Sequence, residues 1–313
     1  MEKSFEDNVA KLLGIKYPVL QGGMANIADH RLASAVSNAG GLGLIATGGW
    51  SPERIREEIR KTKALTDRPF GLNIMLMHPK KDEIARLAIE EGIQVITTGA
   101  GNPNPYIEDW KAAGITVIPV VPSVALAKRV ARYGADAVIV EGTEAGGHIG
   151  ETTTFTLVPQ VVDAVDIPVI AAGGIADARG VDAAFALGAQ GVQVGTVLLT
   201  ALECPIHEGY KEKIINAKDT DTVVTGREAK APVRVLKNKM AVQYLKLSSQ
   251  GVERDELEKL TLGSLSRAVN EGDSDRGSFM AGQISGLIRS VKTVEDILRT
   301  MFHESLLLGG LYQ

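Results

Sequence analysis

Short apolar runs recur along the chain, each followed by a stretch whose apolar positions fall at helical spacing. The runs span 18–22, 42–46, 70–74, 94–98, 116–120, 137–140, 168–172 and 191–194. Between them, 28–38, 51–65, 81–91, 105–113, 123–133, 157–165 and 178–187 read as amphipathic helices. Runs of four or five residues without polar alternation suit strands buried on both faces, as in a parallel sheet covered by helices. Eight consecutive units predict an α/β fold, a TIM (β/α)8 barrel with crossovers of one hand. The competing doubly wound open sheet rarely needs eight units, and no Gly-x-Gly-x-x-Gly follows the first run.

Local chemistry punctuates the same pattern. Ser51-Pro52-Glu53 supplies an N-cap, a proline at the first helical position and an acid in the first turn. Glu91-Gly92, Ala113-Gly114, Tyr133-Gly134 and Leu187-Gly188 put glycine where a helix end needs a left-handed residue. Beyond about residue 200 the rhythm changes. Residues 205–285 are more polar and read mostly as helices, such as 254–262 and 265–271, and 293–307 reads as a closing barrel helix capped by Thr293. The expected organisation is a barrel of residues 1–200 plus 286–313, with 201–285 forming a smaller, mostly helical lid domain.

Composition narrows the class. The 313 residues are 44% hydrophobic, enough for a large core, and aromatics are only 4%. The net charge of −4 gives no electrostatic footprint for nucleic acid. Local basic clusters, Lys128-Arg129 and Lys237 to Lys239, read as solvated helix faces. The single cysteine, Cys204, cannot form an intramolecular disulfide, which fits a reduced, cytoplasmic setting. The N-terminal stretch carries charges of both signs and does not read as a signal peptide, and no run approaches a membrane span.

Candidate chemistry gathers at strand ends, where barrel enzymes do their work. Glu141-Gly-Thr-Glu-Ala-Gly-Gly-His-Ile-Gly150 follows the sixth run and places His148 in a glycine-rich loop. Imidazole exchanges protons near neutral pH, and glycines let backbone approach a flat ligand. Ala171 to Asp177 and Gln193 to Thr196 follow the seventh and eighth runs. A barrel uses these two loops to hold phosphate on backbone N–H groups, where a Cβ would block the oxygens. Gln21 to Ala25 closes the first run with small residues over which an isoalloxazine ring can lie. Asn73 can reach a flavin ring edge, and Glu141 a ribityl hydroxyl. The other histidines, His30, His78, His207 and His303, stand in ordinary helix or loop settings. Cys204 has no basic neighbour to lower its thiol pKa, and no metal-ligand spacing is present.

Gln21 to Ala25, Gly71 to Met75, Thr97 to Pro103, Pro119 to Lys128, Glu141 to Gly150, Ala171 to Asp177, Gln193 to Thr196 and Met280 to Gln283 together resemble one family. It is the flavin-dependent enoyl-acyl-carrier-protein reductase II (FabK), within the nitronate monooxygenase (2-nitropropane dioxygenase) superfamily. The resemblance runs almost end to end and is weakest between about 225 and 260. Thr97 to Pro103 favours the reductase over the nitronate enzymes. The resemblance implies FMN as cofactor, NADH or NADPH as co-substrate, a monovalent cation in some members, a homodimer, and an acyl carrier protein bearing the enoyl substrate. It assigns His148 as the catalytic donor to the thioester. FMN phosphate falls to Gly173, Gly174, Gly195 and Thr196, and the ring to Gly22, Gly23, Met24 and Ala25. Asn73, Glu141 and Gln193 become polar contacts, with Met280, Gly282 and Gln283 approaching from the small domain. Nitronate oxidation with O2 is the alternative activity. Lys230, Arg234, Lys237 and Lys239 form the basic cluster expected to meet an acidic carrier protein.

Overall fold

A computed structural model describes residues 9–312. The charged N-terminal stretch read against a signal peptide lies outside these residues. Eight parallel strands form: Val19–Gln21, Gly43–Ala46, Phe70–Met75, Val95–Gly99, Thr116–Val121, Val138–Glu141, Val169–Ala172 and Gly191–Val194. Each pairs with its neighbour in chain order, and the first pairs with the eighth, Val19 opposite Val192. The first and second meet at Leu20 and Leu42, where Leu42 N–H donates to the Val19 carbonyl at 2.9 Å and closes the ring. The predicted TIM barrel is therefore present.

Leu20, Leu44, Ile118, Ile139 and Ile170 fill the interior of the barrel, together with Val9 and Leu13 of the short helix Val9–Leu13. Larger clusters lie between strands and helices, one around Ile59 and Trp110, the other around Val138 and Phe302. Tight helix-to-strand packing has a local cause at Gly43, where a Cβ would lie 1.8 Å from the Ala33 carbonyl oxygen of helix His30–Asn38.

Sequence signals set the helix starts. Asp29, Ser51, Ser123, Asp177, Asn238 and Thr293 each accept a backbone N–H from the helix they open. Two boundaries differ from expectation. The helix read as 157–165 runs Thr154–Val162, because the Glu144 carboxylate accepts the Thr154 N–H and caps it early. The helix read as 293–307 ends at His303, because Asp182 takes up the Leu306 and Leu307 N–H groups at 2.9 and 3.2 Å.

The segment 205–285 contains the helices Glu208–Ile215, Lys239–Ser249 and Arg254–Thr261. The stretch read as helix 265–271 winds as a π-helix over Arg267–Glu271. The segment also contains a hairpin that periodicity did not disclose, Thr222–Thr225 with Val233–Leu236. Its second strand pairs antiparallel with Gly147–His148, so His148 lies opposite Val233 and Gly147 opposite Arg234. The glycine-rich loop after the sixth strand thus contains the third strand of a small sheet. No described helix is long and apolar enough to cross a membrane.

Candidate active site

The C-terminal ends of the barrel strands open into a cavity of about 470 Å3. From the first strand, Gly22, Gly23, Met24 and Ala25 form one wall. Gly23 has its Cα where a Cβ would lie 2.1 Å from Asn73 Cγ, so the absence of a side chain gives the Asn73 amide its place. Asn73 Nδ2 donates to Thr97 Oγ1 at 2.9 Å, which fixes the amide on the cavity wall. Gln193, on the eighth strand, is buried, and its Oε1 has no hydrogen-bond partner. A buried acceptor without a donor costs about 1–3 kcal/mol, so this oxygen calls for a ligand donor.

The ends of the seventh and eighth strands line the same cavity. Gly173 and Gly174 take φ of +90° and +78°, a backbone that exposes N–H groups and disfavours any side chain. At Gly195 a Cβ would meet nothing nearer than 3.7 Å, so the space in front of it is free. Thr196 Oγ1 accepts the Gly282 N–H at 2.9 Å, leaving its hydroxyl proton for another acceptor. That bond also ties the late segment around Gly282 to the barrel. Met280 is pinned similarly: its carbonyl accepts from Tyr210 at 2.8 Å, and it bridges to Val235 of the hairpin.

His148 lies exposed on the cavity wall, held by the hairpin on its backbone side. Its ring opens to the cavity yet is flanked by enough protein that desolvation lowers its pKa below the ordinary histidine value. At neutral pH it is a neutral imidazole with one N–H donor and one acceptor. Glu141, the last residue of the sixth strand, is desolvated more strongly. Burial raises its carboxyl to about 8, so it is largely protonated and can donate as well as accept.

The structure brings together in one cavity all but one of the residues singled out from sequence. Gln283 is the exception. Its side chain is exposed, and its N–H donates to the Glu144 carbonyl at 2.9 Å. Gly282 is extended and precedes the 3-10 helix Gln283–Leu287, whose first side chain faces outward. Sequence reasoning missed Ala100, Pro122, Ile149 and Leu265, which also line the cavity. Ala100 carried a signal: it lies between glycines in Thr97 to Pro103 and adopts φ of +52°, a strained conformation for a residue with a Cβ. It missed Glu144 as well, whose carboxylate accepts from Thr154 N and Oγ1.

The basic cluster does not survive as expected. Arg234 is buried, donating from Nε to the Thr143 carbonyl and from Nη1 to Thr222 Oγ1, each at 3.0 Å. Its alternation on the hairpin strand turns it inward, away from any docking partner. Cys204 is buried too, which raises its thiol to about 12. Among the described residues, Asp29, His30 and Glu58 lie within ligand distance of one another. Their carboxylates are already committed, Asp29 to Arg31 and the helix cap, Glu58 to His30 at 2.6 Å.

A mouth of this kind, apolar on its walls and polar at a few points, is that of a ligand-binding α/β-barrel enzyme. Comparison with known proteins is consistent with that class. A family model described as nitronate monooxygenase matches residues 6–304, and the chain belongs to that family. The structure of FabK from Thermotoga maritima is similar with a TM-score of 0.92 and 50% identity, over 95% of this chain and 94% of that one. A nitroalkane oxidase from Streptomyces ansochromogenes matches with a TM-score of 0.84 and 25% identity, over 97% of this chain and 99% of that one. A (3aS,4S,5R,7aS)-5-hydroxy-7a-methyl-1-oxo-octahydro-1H-indene-4-carboxyl-CoA dehydrogenase of Rhodococcus jostii is 33% identical over 93% of each chain. A probable nitronate monooxygenase of Staphylococcus saprophyticus is also 33% identical, over 93% of this chain and 96% of that one. The family and these neighbours are flavin oxidoreductases. The residues present fit a flavin: an orphaned acceptor at Gln193, open space before Gly174 and Gly195, and a wall of small residues.

Proposed function

We propose that the protein is an FMN-dependent enoyl-acyl-carrier-protein reductase of fatty acid synthesis, reducing trans-2-enoyl thioesters at the expense of NADH or NADPH. The observation that carries this reading is the likeness to FabK, 50% identical across 95% of the chain. Bound FMN supplies a two-electron carrier between nicotinamide and alkene. Gly173, Gly174, Gly195 and Thr196 are the residues for its phosphate. Gly22 to Ala25 are those for its ring, with Asn73, Glu141 and Gln193 as polar contacts.

The protein's own contribution centres on His148. As a hydride equivalent reaches the β-carbon of the enoyl thioester, negative charge builds on the thioester oxygen. A neutral imidazole N–H aimed at that oxygen stabilises the developing enolate, by about 3–4 kcal/mol for a well-aligned donor. The α-carbon then takes a proton, and His148 is the group assigned to relay it. A neutral ring suits this donor role, since it needs no compensating carboxylate. An acyl carrier protein would approach along the exposed Lys230, Lys237 and Lys239, without Arg234.

The family model and the staphylococcal relative favour a second reading, oxidation of alkyl nitronates by O2 with His148 as the base. One anaerobic titration separates the two. Under the first, NADH bleaches the yellow protein rapidly and crotonyl thioester restores the colour. Bleaching by propyl nitronate but not by NADH would overturn it in favour of the second. A colourless protein that takes up no FMN would remove both.

A further inference from the structure

Glu144 is an acid placed against a turn built for an anion. A Cβ on Gly174 would lie 3.6 Å from Glu144 Cβ and 3.8 Å from its carboxyl carbon. The carboxylate accepts the Thr154 N–H at 2.9 and 3.0 Å and the Thr154 hydroxyl at 2.9 Å. It therefore occupies the N-terminus of the nine-residue helix Thr154–Val162, where the helix dipole favours a negative group. The same hydroxyl lies 2.9 Å from the Gly173 carbonyl oxygen, so the helix start links the carboxylate to the glycine turn, and the carboxylate's residue and the turn both line the cavity. Every hydrogen bond of the carboxylate among the described residues goes to Thr154. Arg234 senses its charge but spends its own donors on Thr143 and Thr222. A negative charge thus borders the turn without a hydrogen-bonded cation to offset it.

We propose that Glu144 is a gate on the phosphate of the flavin. Its carboxylate repels a phosphomonoester dianion from the Gly173–Gly174 turn and sets how tightly phosphorylated flavin is held. The proposal rests on the reading of the cavity as an FMN site. Removing the charge should strengthen binding of FMN and leave riboflavin, which has the same ring and ribityl chain without phosphate, unaffected. Gln is the informative substitution, because its amide oxygen still accepts from Thr154 and keeps the helix capped.

The test is titration of flavin-stripped protein with FMN and with riboflavin, read by flavin fluorescence. Glu144→Gln should tighten FMN about tenfold at low salt, with the gain shrinking as salt screens the repulsion. Riboflavin should change by less than about twofold. Glu144→Ala, which removes charge and cap together, should also tighten FMN, and guards against a folding defect peculiar to the Gln variant. Unchanged or weaker FMN binding in both variants, or equal gains for FMN and riboflavin, would overturn the gate. If wild-type protein binds riboflavin and FMN equally, the phosphate assignment falls instead. If it binds neither, the FMN reading and the gate fall together.

Discussion

Glu141→Gln separates the electrostatics of the site from its chemistry. The side chain keeps its shape and loses only the ability to ionise. In the unfolded chain the carboxyl titrates near 4.5, and in the folded protein burial raises it to about 8. Between these values the unfolded state binds fewer protons, so wild-type stability falls as pH rises. The favourable contribution of the neutral carboxyl is complete below about 4.5 and is lost as pH climbs through about 8. A gap of about 3.5 units at 1.36 kcal/mol each sets a ceiling of about 5 kcal/mol. The effect expected at high pH is therefore several kcal/mol, up to that ceiling. Urea unfolding of the flavin-stripped protein at pH 5, 7 and 8.5 measures it. The variant should lie within about 1 kcal/mol of wild type at pH 5 and exceed it by several kcal/mol, at most about 5, at pH 8.5. A difference that stays flat across pH would refute the assignment of Glu141 as a carboxyl held neutral by burial.

Three further outcomes follow from contacts and burial. Gly43→Ala drives a Cβ to 1.8 Å from the Ala33 carbonyl, so helix His30–Asn38 must retreat, at a cost of about 1–3 kcal/mol in urea unfolding. Cys204, buried with its thiol near 12, should resist a thiol reagent in native protein and react at once in denaturant. Charge reversal at Lys230, Lys237 and Lys239 together should raise KM for a carrier-linked enoyl substrate and leave a coenzyme A analogue unchanged; equal effects on both would remove this face as the docking surface.

Most of the barrel was legible because its rules are local. Apolar runs located all eight strands within a few residues, and the four helix-ending glycines all take positive φ. The glycine motifs and His148 were legible as site candidates because barrel topology places every strand end at one mouth. What escaped depends on partners distant in sequence. Gly147–His148 is too short to show a strand period, and its partner Val233 lies 85 residues later. Arg234 reads from sequence as part of the basic docking cluster, but the hairpin turns it under the loop. Two helix boundaries moved because Glu144 and Asp182 reach across to cap backbone groups, which no window of neighbouring residues discloses. Gln283 shared a motif with cavity residues, yet it opens the 3-10 helix Gln283–Leu287 with its side chain exposed.

In the proposed reaction His148 acts on the substrate beside a flavin held by other residues. Steady-state turnover of crotonyl thioester by His148→Ala, measured on protein whose flavin absorbance per chain equals wild type, tests it most directly. Loss of an aligned donor should slow turnover by at least about a hundredfold while the flavin stays bound. Turnover within about threefold of wild type at full flavin content would remove His148 from the reaction.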